Sequence, residues 1–293
     1  MSDSSAGLQR KIASAGDLQS VVRSMKAMAA ASVGQYERAV RSLDDYYRTV
    51  RLGLVACVGA NEAATASQTG RETNSPIGAI VIGSDQGLVG QFNDVLASFV
   101  SSTLEKLPGQ KTVWAIGDRI RTRLAETAFA STESFVLPGS IDAITPLVGQ
   151  ILIEMEKHRE AGDIAQVYVF HNRPQSGSVY APVSQRLLPL DAAWQRDLAA
   201  SSWPTKALPE VMNDRDQTFL AIVREYIFVS LFRACAESLA SENASRLAAM
   251  QRAEKNIDEL LEGLNQTFHR LRQSSIDEEL FDVITGFEAL AKS

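Results

Sequence analysis

Apolar and small residues follow a strict rhythm near the start of the chain. Leu18, Val22, Met25, Ala29, Ser32, Tyr36, Ala39, Leu43, Tyr46 and Val50 are separated alternately by four and three positions. This is a heptad seam with no proline in it, and it predicts one helix over roughly residues 8–57 lying along a partner helix. Leu8 and Ile12 allow the pattern to begin before Asp17, a candidate N-cap or first-turn residue. Ala29, Ser32 and Ala39 are small enough for a partner to come close. The other end of the chain repeats the rhythm through Leu247, Met250, Glu254, Ile257, Leu261, Leu264, Phe268 and Leu271. It predicts a second helix over residues 213–291, because Pro204 and Pro209 are the last prolines. After Leu271 the phase slips by one residue and continues as Ile276, Leu280, Val283, Phe287 and Leu290, which indicates a local change of winding or of partner.

The texture between these helices is different. Residues 59–76 are small and polar and read as a linker. Short β-like runs follow at 77–83, 111–116, 165–171 and 179–190, with helical patterns at 88–105, 117–127 and 142–160 between them. Alternation of strand and helix predicts a mostly parallel, Rossmann-like α/β sheet covered by helices, with the last two strands forming a hairpin at its edge. The expected fold is thus α/β plus coiled coil: an N-terminal helix (1–58), a linker (59–76), an α/β domain (77–208) and a C-terminal helix (209–293).

Both heptad helices adjoin the same α/β domain, so they can pair antiparallel as a shaft. If pairing begins flush beside that domain, residue 8 falls near residue 262, and about 29 residues, or ~44 Å, project beyond the pair at 1.5 Å per residue. That projection carries Leu264, Phe268, Leu271, Ile276, Leu280, Val283, Phe287 and Leu290. A lone helix with such a stripe needs a sheath from another protein, or must fold back.

Charge and candidate chemistry narrow the field. A formal net charge of −6 over 293 residues supplies no bulk positive field for general nucleic-acid binding. No apolar run approaches the roughly 20 residues that span a bilayer. The opening MSDSSAGLQRK lacks the hydrophobic core of a signal peptide, so the expectation is a cytoplasmic protein that reaches a membrane only through a complex. Cys57 and Cys235 match no metal or redox spacing and read as buried thiols. His158, His171 and His269 are scattered, are expected to face solvent or a partner, and receive no chemical role. Asp44-Asp45 and Glu278-Glu279 are sequence neighbours, which do not share a helix face, so acid/base catalysis is not indicated. No catalytic, cofactor-binding or metal-binding residue is assigned. The stretch GSDQGLVGQFN (83–93) follows an apolar strand as a phosphate loop would. Its Gly83, Gly87 and Gly90 do not fit GxGxxG, and no Lys-Ser/Thr follows, so it predicts a turn that packs a helix tightly on a strand.

Four stretches resemble the γ subunit of F-type ATP synthases. LQRKIASAGDLQSVVRSMKAMAAAS (8–32) is similar to that family's N-terminal helix. ESLASENASRLAAMQRAEKNIDELL (237–261) and RLRQSSIDEELFDVITGFEAL (270–290) are similar to its C-terminal helix, and GSDQGLVGQFN to its Ser-Asp-Arg-Gly-Leu-Cys-Gly loop. The stretches occur in the family's order and span nearly the whole chain. The resemblance implies a non-catalytic rotor without cofactor, an antiparallel coiled coil inside a ring of α and β subunits. Its C-terminal tip would sit in an apolar sleeve, and its α/β foot against the ε subunit and the membrane ring of c subunits. It further implies a peripheral place on the cytoplasmic face of a bacterial plasma membrane, and partner contacts through Met25, Lys26, Met28, Gln86, Arg272, Gln273, Asp277, Leu280, Val283 and Phe287. Several positions depart from the family. Gln86 replaces an arginine that in the family meets an acidic moving segment of a β subunit, and Val89 replaces a cysteine. Asp17-Leu18-Gln19-Ser20 stands for Asn-Thr-Gln-Lys, and Asp277 for a threonine. These departures suggest a divergent, alternate F-type ATPase. Two other readings compete: a nucleotide-binding α/β enzyme with a coiled-coil dimerisation arm, and a cytoplasmic coiled-coil adaptor.

Overall fold

The computed structural model describes residues 5–58, 75–175, 178–190, 203, 205, 207, 209–211 and 214–291, with the side chains of Ser178 and residues 286–291 excepted. The linker expected over residues 59–76 lies almost wholly outside the described residues. In chain order the elements are α1 (Ser5–Val58), β1 (Ile77–Ile82), α2 (Phe92–Leu104), β2 (Lys111–Ile116), α3 (Asp118–Ala125), β3 (Glu133–Phe135), α4 (Ile144–Glu160), β4 (Gln166–Gln175), β5 (Ser178–Leu188) and α5 (Arg215–Ala291). The chain divides into two compact units, Ala30–Arg246 and Met1–Ala29 with Leu247–Ser293.

The larger unit is built on a five-stranded sheet of order β3-β2-β1-β4-β5. β1 pairs in parallel with β2 and β4, β2 pairs in parallel with β3, and β5 turns back antiparallel along β4. β1 is central and buried along its whole length, hence its unbroken run IGAIVI. Ile77, Ala79 and Val81 join Val113, Ala115 and Phe170 under α2 and α3, where Leu96, Val100, Leu104, Ile120 and Leu124 cover them. Ile80 and Ile82 join Trp114, Ile116, Val167 and Val169 on the opposite face. That face is covered by α4 through Ile144, Val148 and Ile151, by α1 through Val50 and Leu54, and by α5 through Ile227, Leu231 and Cys235. Each long helix therefore does two jobs, sealing the sheet at one end and pairing with its counterpart. The edge strand β3 escapes sequence pattern because three residues display no period.

Pairing of α1 with α5 sharpens the expected seam. Leu8, Ala15, Val22, Ala29, Tyr36, Val50 and Cys57 are buried at intervals of seven or its double. Leu18 and Tyr46 are instead 53% and 46% exposed. At both places the flank of the seam passes through the next residue, the half-buried Gln19 and Tyr47. Between them Met25, Ser32, Ala39 and Leu43 keep the expected phase and are half-buried. On α5 the seam holds from Leu247 to Leu271. Within the smaller unit Val22, Met250 and Ile257 form its centre, with Met25, Ala253 and Leu261 packed against them.

The register also corrects the projection. Gln19 hydrogen-bonds Asp258, and Arg23 Nε lies 3.0 Å from Glu254 Oε1. Both pairs set residue 8 opposite about residue 269 rather than 262. At the other end Gly53 faces Ile222, close to the same offset, and Arg215 at the start of α5 comes within electrostatic reach of Cys57. Half-burial accordingly continues through Leu264, Phe268 and Leu271, and every described side chain from residue 272 to 285 is exposed. The unpaired segment is about 20 residues, or ~30 Å. It displays Ile276, Leu280, Phe281, Val283 and Ile284 to solvent, while the side chains of Phe287 and Leu290 lie outside the described residues.

One carboxylate ties α5 to the sheet and to α1. Glu237 is 3% exposed; its Oε2 lies 2.8 Å from His171 Nε2 and 2.7 Å from Arg173 Nε, both on β4. Its Oε1 lies 2.8 Å from Arg233 Nε, and Arg233 reaches on to Asp44 of α1 at 3.0 Å and over the ring of Tyr47. Burial alone would raise the Glu237 pKa, but the hydrogen bonds from His171, Arg233 and Arg173 outweigh it and hold the carboxyl at about 2. Burial pushes His171 down, so it is a neutral imidazole donating through Nε2. His171 is thus a core residue rather than the surface or partner-facing histidine expected from sequence.

Both shifts act in the same direction on stability. Glu237 contributes fully above the unfolded glutamate pKa and loses that contribution as pH falls toward about 2, an effect of about 3 kcal/mol. The unfolded chain protonates its histidine before His171 does, so stability also begins to fall below about pH 6.5. Thermal melts of the chain are expected to drop in two stages, one below about pH 6.5 and one below about pH 4.5. Glu237→Gln is expected to cost about 3 kcal/mol at neutral pH and to erase the second stage.

Candidate functional site

The loop after β1 is held from every side. Gly83 donates its N–H to Ile116 O at 2.9 Å. It has no room for a side chain, since an added Cβ would lie 2.2 Å from Ile120 Cβ. Gly117, after β2, has a φ of 108°, and a Cβ added there would lie 2.7 Å from Ser84 O. Ser84 and Asn93 bond reciprocally: the Ser84 N–H donates to Asn93 Oδ1 at 3.0 Å, and Asn93 Nδ2 donates to Ser84 Oγ at 2.8 Å. Ser84 Oγ in turn donates to Gln86 O at 3.0 Å. Asp85 Oδ1 accepts from the Asp118 N–H at 2.9 Å and so caps the start of α3. Leu88 and Gly90 both adopt left-handed backbone, at φ 61° and 60°. For Leu88 this costs about 1 kcal/mol, although the side chain is exposed.

α5 anchors this loop from below. Ser238 Oγ donates to Ile82 O at 3.1 Å and Ser245 Oγ to Val89 O at 2.6 Å. Asn172 Nδ2 donates to Phe92 O at 3.0 Å. Ser241 and Glu242 are buried on the same helix, with Arg246 Nη2 2.5 Å from Glu242 Oε1. Burial raises the Glu242 carboxyl pKa, Arg246 opposes the rise and Asp85 adds to it. The Ser84 N–H that a phosphate cradle would need is already bonded to Asn93, so the loop is a packed turn with an exposed tip. Sequence patterning missed this polar underside of α5. Its signal was there: the run AESLASENAS (236–245) is too polar for an ordinary core and too small for an ordinary exposed helix face.

The other expected contact residues fall into two groups. Met25 is half-buried in the seam, and Lys26 pairs with Glu254, whose carboxyl is lowered first by hydrogen bonds from Lys26 and Arg23. Met28 is 70% exposed. Arg272, Gln273, Asp277, Leu280 and Val283 are exposed on the unpaired segment, and Gln86 is exposed at the loop tip. Phe287 lies outside the described side chains. Cys57 and Cys235 are buried free thiols as expected, and burial pushes Cys235 up to about 12. No helix among the described residues is long and apolar enough to cross a membrane.

A paired coiled coil, an α/β sheet covered by helices and a bare apolar helix end are the features of a subunit held by other chains. The chain belongs to the ATP synthase family, whose model matches residues 4–290. It is 27% identical to the ATP synthase gamma chain of Sinorhizobium fredii, covering 97% of this chain and 98% of that one. It is 28% identical to the gamma chain of Hyphomonas neptunium over the same shares. In fold it is similar to a chain of the Euglena gracilis mitochondrial ATP synthase rotor, with a TM-score of 0.61 at 16% identity over 93% of this chain and 98% of that chain. It is also similar to a chain of the Tetrahymena thermophila central stalk, with a TM-score of 0.57 at 20% identity over 80% and 99%. The fold expectation of a central α/β domain between long terminal helices is met.

Two outcomes follow for the loop. Gly83→Ala is expected to destabilise the chain by about 3 kcal/mol in denaturant titrations. Calorimetric titration of the purified chain with ATP or NAD is expected to release no heat.

Proposed function

We propose that this chain is the rotor shaft of an F-type ATP synthase, a non-catalytic subunit that couples ion flow in the membrane sector to nucleotide turnover on β subunits. The observation that carries the reading is the unbroken likeness to gamma chains from end to end, joined to a helix end left bare over residues 272–285. In this reading residues 1–58 and 209–293 make the shaft, 77–208 its foot and 59–76 a connecting segment. Catalysis belongs to other subunits. The rotor acts by differential contact: an asymmetric surface that turns inside a ring stabilises a different state at each site it faces.

The contacts divide by exposure. Leu280, Val283 and Phe287 supply an apolar tip for a sleeve of α and β subunits, with Arg272, Gln273 and Asp277 as polar contacts beside it. Met28 offers an exposed side chain to the ring, while Met25 and Lys26 set the helix spacing from within the seam. Gln86 makes a non-ionic contact where the family resemblance implies an arginine. The foot meets an ε subunit and a ring of c subunits, and the complex sits peripherally on the cytoplasmic face of a bacterial plasma membrane.

Purification through a tag on this chain is expected to bring down α and β subunits; their absence under gentle conditions overturns the reading. Ending the chain after Leu271 removes several side chains whose burial contributes about 1.5–3 kcal/mol each. It is expected to weaken association with the ring more than tenfold without lowering the melting of residues 30–246. Gln86→Arg is expected to alter the coupling of ATP hydrolysis to rotation in the reconstituted complex, and unchanged coupling would remove the loop tip from the mechanism.

A further inference from the structure

Far from the loop, at the end of α4, three side chains converge that sequence spacing left without a role. Glu154 and His158 lie one turn apart on α4, and Glu133 comes from the short edge strand β3. One ligand atom from each lies within 4.8 Å of the other two. His158 Nε2 is 3.3 Å from Glu154 Oε1 and 3.8 Å from Glu133 Oε1. His158 Nδ1 is 3.1 Å from Asp163 Oδ2. All three converging residues are half-buried. The buried Trp114 ring backs the imidazole with its centroid 5.5 Å away.

The hydrogen-bond arithmetic of the imidazole is what makes this cluster unusual. A neutral histidine has one N–H; with that proton on Nδ1 it is donated to Asp163 Oδ2, 3.1 Å away. The Nε2 lone pair then points at two carboxylate oxygens, which are acceptors only. Lys157, 2.9 Å from Glu154 Oε1, offsets part of the repulsion from outside the cluster, and a cation standing between the three atoms would offset the rest. A proton on Nε2 can satisfy one carboxylate well but not two. A metal ion satisfies all three, and the spacings suit one. Ligands at 2.0–2.2 Å in a tetrahedral shell stand about 3.4 Å apart, within the range the side chains already span. An outer carboxylate on the far imidazole nitrogen is the common means of fixing a ligating histidine's tautomer and ring orientation.

We propose that Glu133, Glu154 and His158 bind one divalent transition-metal ion of the zinc class, with Asp163 as the positioning residue for His158 and a fourth place open to water. Imidazole with two carboxylates suits a borderline ion better than calcium or magnesium, which favour all-oxygen sites. The ion would staple the edge strand β3 to the last turn of α4. Lys157 competes for the site by pairing with Glu154 Oε1 at 2.9 Å, so affinity is set partly by that lysine. The proposal does not depend on the rotor assignment.

The test uses the full chain, freed of any histidine tag and stripped with chelator, titrated with cobalt(II) and followed by visible absorption. One equivalent is expected to produce the intense bands of a four- or five-coordinate ion, and zinc is expected to bleach them. His158→Gln is expected to abolish the bands. Asp163→Asn is expected to weaken binding by about 10- to 100-fold, and Lys157→Met to tighten it by up to about fivefold. Should His158→Gln melt abnormally by circular dichroism, Glu133→Gln on the edge strand replaces it and is expected to lose the four- or five-coordinate spectrum. An absence of bands in the unmodified chain, or binding by His158→Gln and Glu133→Gln equal to that of the unmodified chain, overturns the proposal.

Discussion

Much of this fold depends on one buried carboxylate. Glu237 sits where α5 crosses the sheet, and three cationic or hydrogen-bonding partners reach it from two elements, while Arg233 carries the link on to α1. An ionised glutamate at such depth would be intolerable without them. With them it fixes the rotation of α5 about its own axis, because only one helical face can present Glu237 to β4. Ser238 and Ser245 then fall beneath the loop. The polar node therefore sets the phase of α5 against the sheet, and nonpolar burial supplies the bulk of the stabilisation around it.

Small residues serve the same end. Ala234, Ala236, Ala240 and the serines keep the surface of α5 low where it meets the sheet, so the helix and the glycine loop come into hydrogen-bond range. The loop has no spare backbone donors at Ser84 and no side chain at Gly83. It is held by hydrogen bonds at the base and exposed at Gln86 and Leu88.

The paired and unpaired parts of α5 differ in a related way. From Leu247 to Leu271 the apolar positions have a partner in α1. Beyond Leu271 the helix keeps its apolar positions, shifts their phase and has no partner among the described residues. A helix that retains large aliphatic and aromatic residues after its own partner ends is shaped for surroundings supplied by other chains.

The two periods of the sequence were enough to determine the long helices, the order of helices and strands apart from the three-residue β3, and the apolar strand that became β1. Each of these is a repeated local signal that many residues report together. The bare helix end was legible for the same reason, though its length was not: register depends on cross-helix pairs such as Arg23 with Glu254, and no single-chain period contains them. Tertiary structure alone decided the rest. His171 looked like one of three scattered histidines, and only the packing of α5 on β4 gave it a buried partner 66 positions away. Glu133 lies 21 positions before Glu154, and only the pairing of β3 with β2 brings it beside His158. Chemistry shared between distant positions has no period, so the sequence holds its residues but not their meeting.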